Sequence, residues 1–126
     1  MTKDVRSDFE NGVLTLKMPD EIDHHSAKLI RAEADSRLLT LRPKKLVMDL
    51  SGTRFMDSSG LGLILGRARN CEKLKVDYQL RDPAPQVKTI LMLAGVDGII
   101  KIAGTSEEFK EKEEKEIIEK KEGEKR

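Results

Sequence analysis

The residues best suited to do chemistry are Asp57-Ser58-Ser59-Gly60, where a loop gives way to a helical pattern. Asp and Ser are favoured at helix starts because their side-chain oxygens accept hydrogen bonds from the unpaired N–H groups of the first turn. Capping explains one serine. It does not explain Gly60, Gly62 and Gly66 in the same helical stretch, since each glycine costs about 1 kcal/mol relative to alanine in a helix interior. The cluster implies that another surface must come close. A helix N-terminus presents free N–H groups and a partial positive charge, so it accommodates phosphate. Phosphorylation of a serine there adds about −1.5 to −2 charges. This protein can tolerate that charge while a bound partner is repelled. The pattern suits a switch better than a catalyst.

Other chemistry is less well supported. Ser58, with His24 or His25 and Asp23 or Asp57, supplies the residue types of a hydrolase triad. The serine is not in a Gly-x-Ser-x-Gly elbow, however. Asp23-His24-His25 contains metal-ligand types, but adjacent histidines on a helix point about 100° apart. The i,i+4 position from His25 is Leu29. Asp23 reads instead as a cap, with the histidines on or beside the first turn. No Gly-x4-Gly-Lys-Ser/Thr loop is present, which argues against an intrinsic nucleotidase. The single cysteine, Cys71, excludes an internal disulfide and reads as a small buried apolar group.

These residues need elements to position them. Val13 to Met18 alternates after an Asn11-Gly12 turn signal, and pairs with Val5 to Phe9 as a hairpin. Ala27, Ile30, Ala34, Leu38 and Leu41 form one stripe of an amphipathic helix that Pro43 ends. Leu46 to Leu50 is a nearly continuous apolar run, as expected of a central strand covered on both faces. Ser51 to Asp57 reads as a loop. A second helix begins near Ser58 or Ser59, with its stripe at Leu61, Ile64, Leu65 and Ala68. Val76, Tyr78 and Leu80 alternate as a strand. Pro85 opens a third helix with stripe Val87, Ile90, Leu91 and Ala94, and Gly95 stops it. Ile99 to Ile102 is the last strand. The order β-β-α-β-α-β-α-β predicts an α/β fold with a mixed, mostly parallel sheet.

The 126 residues fit one domain. Charge is unevenly spread along them. Residues 1–105 carry 17 basic and 14 acidic side chains, whereas residues 106–126 carry 7 and 9. We read 1–105 as the folded domain and 106–126 as a charged helical tail, partly frayed. Its only large apolar residues are Phe109, Ile117 and Ile118. Glu111 with Lys115 and Glu116 with Lys120 support helix at i,i+4, and Thr105-x-x-Glu108 can cap it. A net charge of +1 argues against a nucleic-acid partner. No apolar run is long enough to span a membrane and no signal segment is apparent, so the expected location is cytoplasmic.

Two stretches carry a resemblance. Glu21-Ile22-Asp23-His24-His25-Ser26-Ala27, followed by Phe55-Met56-Asp57-Ser58-Ser59-Gly60-Leu61-Gly62-Leu63-Ile64-Leu65-Gly66-Arg67, resembles the STAS domain of bacterial anti-sigma factor antagonists. The Asp-His-His pair with Ile-Leu-Gly-Arg narrows the resemblance to the sporulation branch. It spans roughly residues 5–104. It implies a single STAS domain that is not an enzyme and holds no cofactor. The dephosphorylated form would bind an anti-sigma factor that is also a serine kinase, freeing the sigma factor. The kinase would use ATP to phosphorylate Ser58 and the complex would separate. A serine phosphatase would reset it. The resemblance places Asp23, Asp57, Ser59, Gly60, Leu61 and Gly62 on the partner surface. A general stress-response antagonist with the same chemistry and a ligand-sensing STAS module are the alternatives.

Overall fold

The chain is described by a computed structural model over residues 5–104. The expected helical tail, 106–126, and its cap at Thr105 lie outside the described residues.

Strands β1 (Arg6–Glu10) and β2 (Val13–Lys17) pair antiparallel with Phe9 opposite Leu14. Asn11 and Gly12 between them both have positive φ, 53° and 79°. A two-residue hairpin turn of the twist-compatible kind requires this, and Asn-Gly supplies it at little cost. The chain continues through β3 (Glu21–Ile22), α1 (His24–Leu41), β4 (Lys45–Asp49), β5 (Phe55–Met56), α2 (Ser58–Leu74), β6 (Asp77–Arg81) and α3 (Pro85–Leu93). A 3-10 turn (Val96–Gly98) then leads to β7 (Lys101–Ala103). The main sheet has the order β1-β2-β4-β6-β7. β2, β4, β6 and β7 run parallel, and only β1 is antiparallel. The mixed, mostly parallel sheet expected from the element order is therefore present.

Leu14 and Leu16 of β2, Leu46 and Met48 of β4 and Leu80 of β6 share one face of this sheet. They join Ile30, Ala34 and Leu38 of α1, Ile64 and Cys71 of α2, and Val87 and Leu91 of α3 in a single core. Side chains alternate along a strand, so Lys45, Val47 and Asp49 point the other way, beside Thr15, Lys17, Gln79 and Arg81. The central strand is thus not apolar on both faces, as its sequence suggested. Its second face carries one buried valine among polar neighbours, with Asp49 ion-paired to Arg81 at 3.3 Å.

Three further expectations need correction. Ser51 to Asp57 is not all loop, because β5 forms within it. The last strand begins two residues later than the apolar run Ile99-Ile100 implied. Those residues follow the 3-10 turn, where Ile100 closes the core and Ile99 stays exposed. The buried stripe of α2 is Gly60, Leu63, Ile64, Arg67 and Cys71, while Leu61, Leu65 and Ala68 are only partly buried. The helix is turned by about one residue from the expected face. A glycine and an arginine occupy core positions that hydrophobic patterning assigns to apolar residues.

Arg67 is buried between α1 and α2, with its Nε 3.2 Å from Asp35 Oδ1. Asn70 Nδ2 donates to the same oxygen at 2.9 Å. The Arg67 contact is close but poorly aligned, so its Nε and Nη1 have no hydrogen bond among the described residues. Tyr78, from β6, donates its hydroxyl towards Ile64 O at 3.1 Å and ties α2 to the sheet. Burial pushes the Cys71 thiol up to about 11, so it stays neutral in the core. A buried charge that loses its partner is costly, whereas replacing it with an apolar residue is often neutral or better. Because Asp35 keeps some exposure, Asp35→Ala is expected to lower unfolding free energy by about 2 kcal/mol. Arg67→Met should leave it unchanged or raise it. Urea denaturation of the two variants and the parent protein checks this order.

Candidate functional site

The site is built from two short strand-to-helix junctions placed side by side. β3 and β5 pair in parallel, with Glu21 opposite Phe55 and Ile22 opposite Met56. Asp57 N–H continues the pairing by donating to Ile22 O at 3.2 Å. Each strand lasts two residues and then ends on an aspartate that caps the next helix. Asp23 Oδ1 accepts from Ser26 N–H at 2.9 Å, and Ser26 Oγ accepts from Asp23 N–H at 2.9 Å. Asp57 Oδ1 accepts from Ser59 N–H at 2.8 Å. The N-termini of α1 and α2 are thereby held next to one another, and both carry the partial positive charge of unpaired N–H groups.

The loop before β5 is pinned to the turn before β3. Arg54 N–H and Phe55 N–H both donate to Asp20 O, at 2.7 and 3.1 Å. Thr53 is fully buried, and its hydroxyl donates to Pro19 O at 2.7 Å. From α3, Gln86 Nε2 reaches Arg54 O at 3.4 Å.

Ser58 occupies the first position of α2 and is exposed. Its hydroxyl makes no hydrogen bond among the described residues. Ser59 is half-buried and faces a groove with His24, Ala27, Lys28, Arg31, Gly62 and Leu63. His24 thus shares a groove with Ser59, yet neither histidine hydrogen-bonds either serine. The triad that residue types alone allowed is not assembled. No cluster of three or more potential metal ligands occurs among the described residues.

The glycines divide into two kinds. Gly60 is buried, and a Cβ there would lie 2.2 Å from Met56 Cγ and 3.2 Å from Ile22 Cγ2. It lets α2 rest on the β3–β5 pair. Its place on the partner surface is therefore corrected: the surface that approaches it is the protein's own. Gly62 and Gly66 meet nothing within 4 Å, so they leave open surface on α2. Gly62 is exposed and Leu61 is half-buried. Asp23, Asp57, Ser58, Ser59 and Gly62 are brought together at one end of the helix pair. Lys28 and Arg31, which no motif marks, join the site from α1. Their spacing from His24, at i+4 and i+7 on α1, was the available signal.

The comparisons with known proteins agree with this geometry. The profile of the STAS domain matches residues 4–109. The chain belongs to the STAS-domain family. An anti-sigma F factor antagonist of Paenibacillus polymyxa is 30% identical over 102 residues, covering 81% of this chain and 87% of that protein. Among solved structures, the anti-sigma factor antagonist SpoIIAA in its unphosphorylated form superposes with a TM-score of 0.72 at 25% identity, over 94% of this chain and 96% of that one. The phosphorylated form of SpoIIAA, a Bacillus cell fate determinant, gives a TM-score of 0.66 at 25% identity, over 82% and 93%. No helix among the described residues of this STAS domain is long and apolar enough to cross a membrane.

Two outcomes follow from the site's construction. Gly60→Ala forces Met56 or α2 to shift, and overpacking of this kind costs about 1–3 kcal/mol. Gly62→Ala meets open space inside a helix and should stabilise by about 0.5–1 kcal/mol. Thermal and urea melts of the pair should move in opposite directions. The second outcome concerns pH. Hydrogen bonds from the Ser26 backbone and then its side chain hold the Asp23 carboxyl below its ordinary 3.8. A lowered value in the folded state means stability that is present above about pH 4 and lost as pH falls through the folded value. Asn also caps helices but does not titrate. Asp23→Asn should therefore lose less of its urea midpoint between neutral pH and about pH 3 than the parent protein. Parallel losses would contradict that role for Asp23.

Proposed function

We propose that this protein is an anti-sigma factor antagonist switched by phosphorylation of Ser58. In this reading the unmodified form binds an anti-sigma factor that is also a serine kinase, and the sigma factor is released. ATP enters only as the kinase's phosphoryl donor. The γ-phosphoryl group passes to Ser58 Oγ, the hydroxyl proton goes to the kinase, and ADP leaves. A serine phosphatase hydrolyses the ester and restores the binding form. The action takes place in the cytoplasm and needs no cofactor on the antagonist.

The observation that carries this reading is the state of Ser58. It is exposed and free of hydrogen bonds among the described residues, at the first position of a capped helix that is fixed to its neighbours. A kinase can reach such a hydroxyl without unfolding anything. The product dianion sits at a helix N-terminus, where the protein's own electrostatics favour it. The similarity to anti-sigma F factor antagonists supports the choice of partner. Release needs only a few kcal/mol of weakening, since each 1.4 kcal/mol is about tenfold in affinity. A desolvated phosphate at an interface supplies that much.

The deciding experiment is intact-mass and peptide mass spectrometry after incubation with the host's anti-sigma factor kinase and ATP. One added phosphate on Ser58, absent in Ser58→Ala, is expected. Amide shifts should change near residues 57–65 and stay close to constant elsewhere. If no phosphate appears on Ser58 or Ser59, the switch reading fails and the ligand-sensing module takes its place.

A further inference from the structure

The groove between the N-terminal halves of α1 and α2 has a volume of about 470 Å³. His24, Lys28 and Arg31 line it from α1, and Ser59, Gly62 and Leu63 from α2. The three α1 residues stand at i, i+4 and i+7, on one face of the helix. Lys28 and Arg31 are exposed and have no ion pair among the described residues. No carboxylate of the described residues lies within ion-pair distance of them. Asp23 and Asp57 are occupied as helix caps, and Asp35, one turn beyond Arg31, is taken by Arg67 and Asn70. Gly62 carries no side chain into the opening and a Cβ there would meet nothing within 4 Å, so a bulky chain can lie between the helices. Two cations without an ion pair among the described residues thus line a cavity in a chain whose formal net charge is only +1.

We propose that this groove receives an acidic segment of the anti-sigma factor, whose Asp or Glu side chains pair with Lys28 and Arg31 while its backbone lies over Gly62. The inference rests on the antagonist function given above. It adds the chemistry by which the partner is recognised: a carboxylate-bearing stretch approaching from the side of α1. Charged contacts of this kind act mainly on encounter rate and salt dependence. They also place Ser58, the residue next to the groove wall at Ser59, against the partner.

The test uses the full chain and the host's purified anti-sigma factor kinase, with calorimetry at low and high salt. Lys28→Glu with Arg31→Glu should weaken binding by about tenfold or more at low salt and flatten the salt dependence. Lys28→Arg with Arg31→Lys should restore both. The replaced side chains are exposed and form no ion pair among the described residues, and equal urea midpoints would verify that the fold is unaffected. Carbodiimide coupling, which joins an amine to a carboxylate, should link Lys28 to an Asp or Glu peptide of the partner. Unchanged affinity and salt slope in the charge-reversed variant, with the parent protein still binding, would overturn the proposal and leave the antagonist reading standing. Coupling of Lys28 to this chain's own glutamates at 107–124 would also overturn it, by making the tail the occupant. If the unmodified parent protein does not bind the kinase, both readings fall together.

Discussion

The pairing of β3 with β5 is the constraint on which the site depends. It consists of two residues on each side, Glu21-Ile22 and Phe55-Met56, yet it sets the relative height of α1 and α2. Each strand delivers an aspartate cap one residue later, so fixing the register of Ile22 against Met56 also fixes where the two helices begin. Gly60 is the steric condition for this arrangement, because with a Cβ at that position Met56 or α2 would have to shift. The exposed Ser58 and the groove lined by Lys28, Arg31 and Ser59 are consequences. A one-residue slip in so short a pairing would rotate the serines by about 100° around α2 and separate them from the groove. The fold resists a slip through hydrogen bonds that do not belong to the pair itself, from Thr53, Arg54 and Phe55 to the Pro19-Asp20 turn.

Much of this was readable from residue order. The Asn11-Gly12 turn, the three amphipathic helices and the alternation of strands and helices all arise from local patterns, and local patterns survive in sequence. Asp23 was legible as a cap, and Asp57-Ser58-Ser59 as a helix start, because capping depends on residues within one turn. β3 and β5 were not legible, since two residues cannot display a period of two. The face of α2 was misjudged by one position for a related reason. Gly60 and Arg67 are core residues only because of what lies opposite them: Met56 in one case, Asp35 in the other. Hydrophobic patterning scores a residue by its own character, not by its partner across the fold. The basic groove is invisible in residue order for the same reason. It exists only once α1 and α2 are packed, because its cations and its glycine come from segments about thirty residues apart.

The three glycines of α2 show how one sequence signal can hold two structural meanings. Spacing alone suggested that a foreign surface must approach all of them. The structure assigns Gly60 to internal packing and leaves Gly62 and Gly66 facing open space. Glycine costs stability in a helix whichever role it plays. At Gly60 that cost is offset inside the fold, by allowing the junction to close. At Gly62 a Cβ would meet nothing within 4 Å, so packing inside the described fold does not offset it.

The same division governs a switch built on Ser58. A phosphate that unfolded its own helix would disable the protein instead of regulating it, and one that disturbed nothing would not regulate at all. The site separates these demands in space. On the inner side, Asp57 caps α2, Gly60 seats it and the β3–β5 pair holds it, none of them through the Ser58 hydroxyl. On the outer side, the hydroxyl and the groove face away from the core. Adding a dianion therefore changes the outer surface by nearly two charges while the contacts that define the fold are unaltered. In the proposed switch, the atoms that would meet a partner are not the atoms that cap and seat α2, so a single modification would act on binding and leave folding alone.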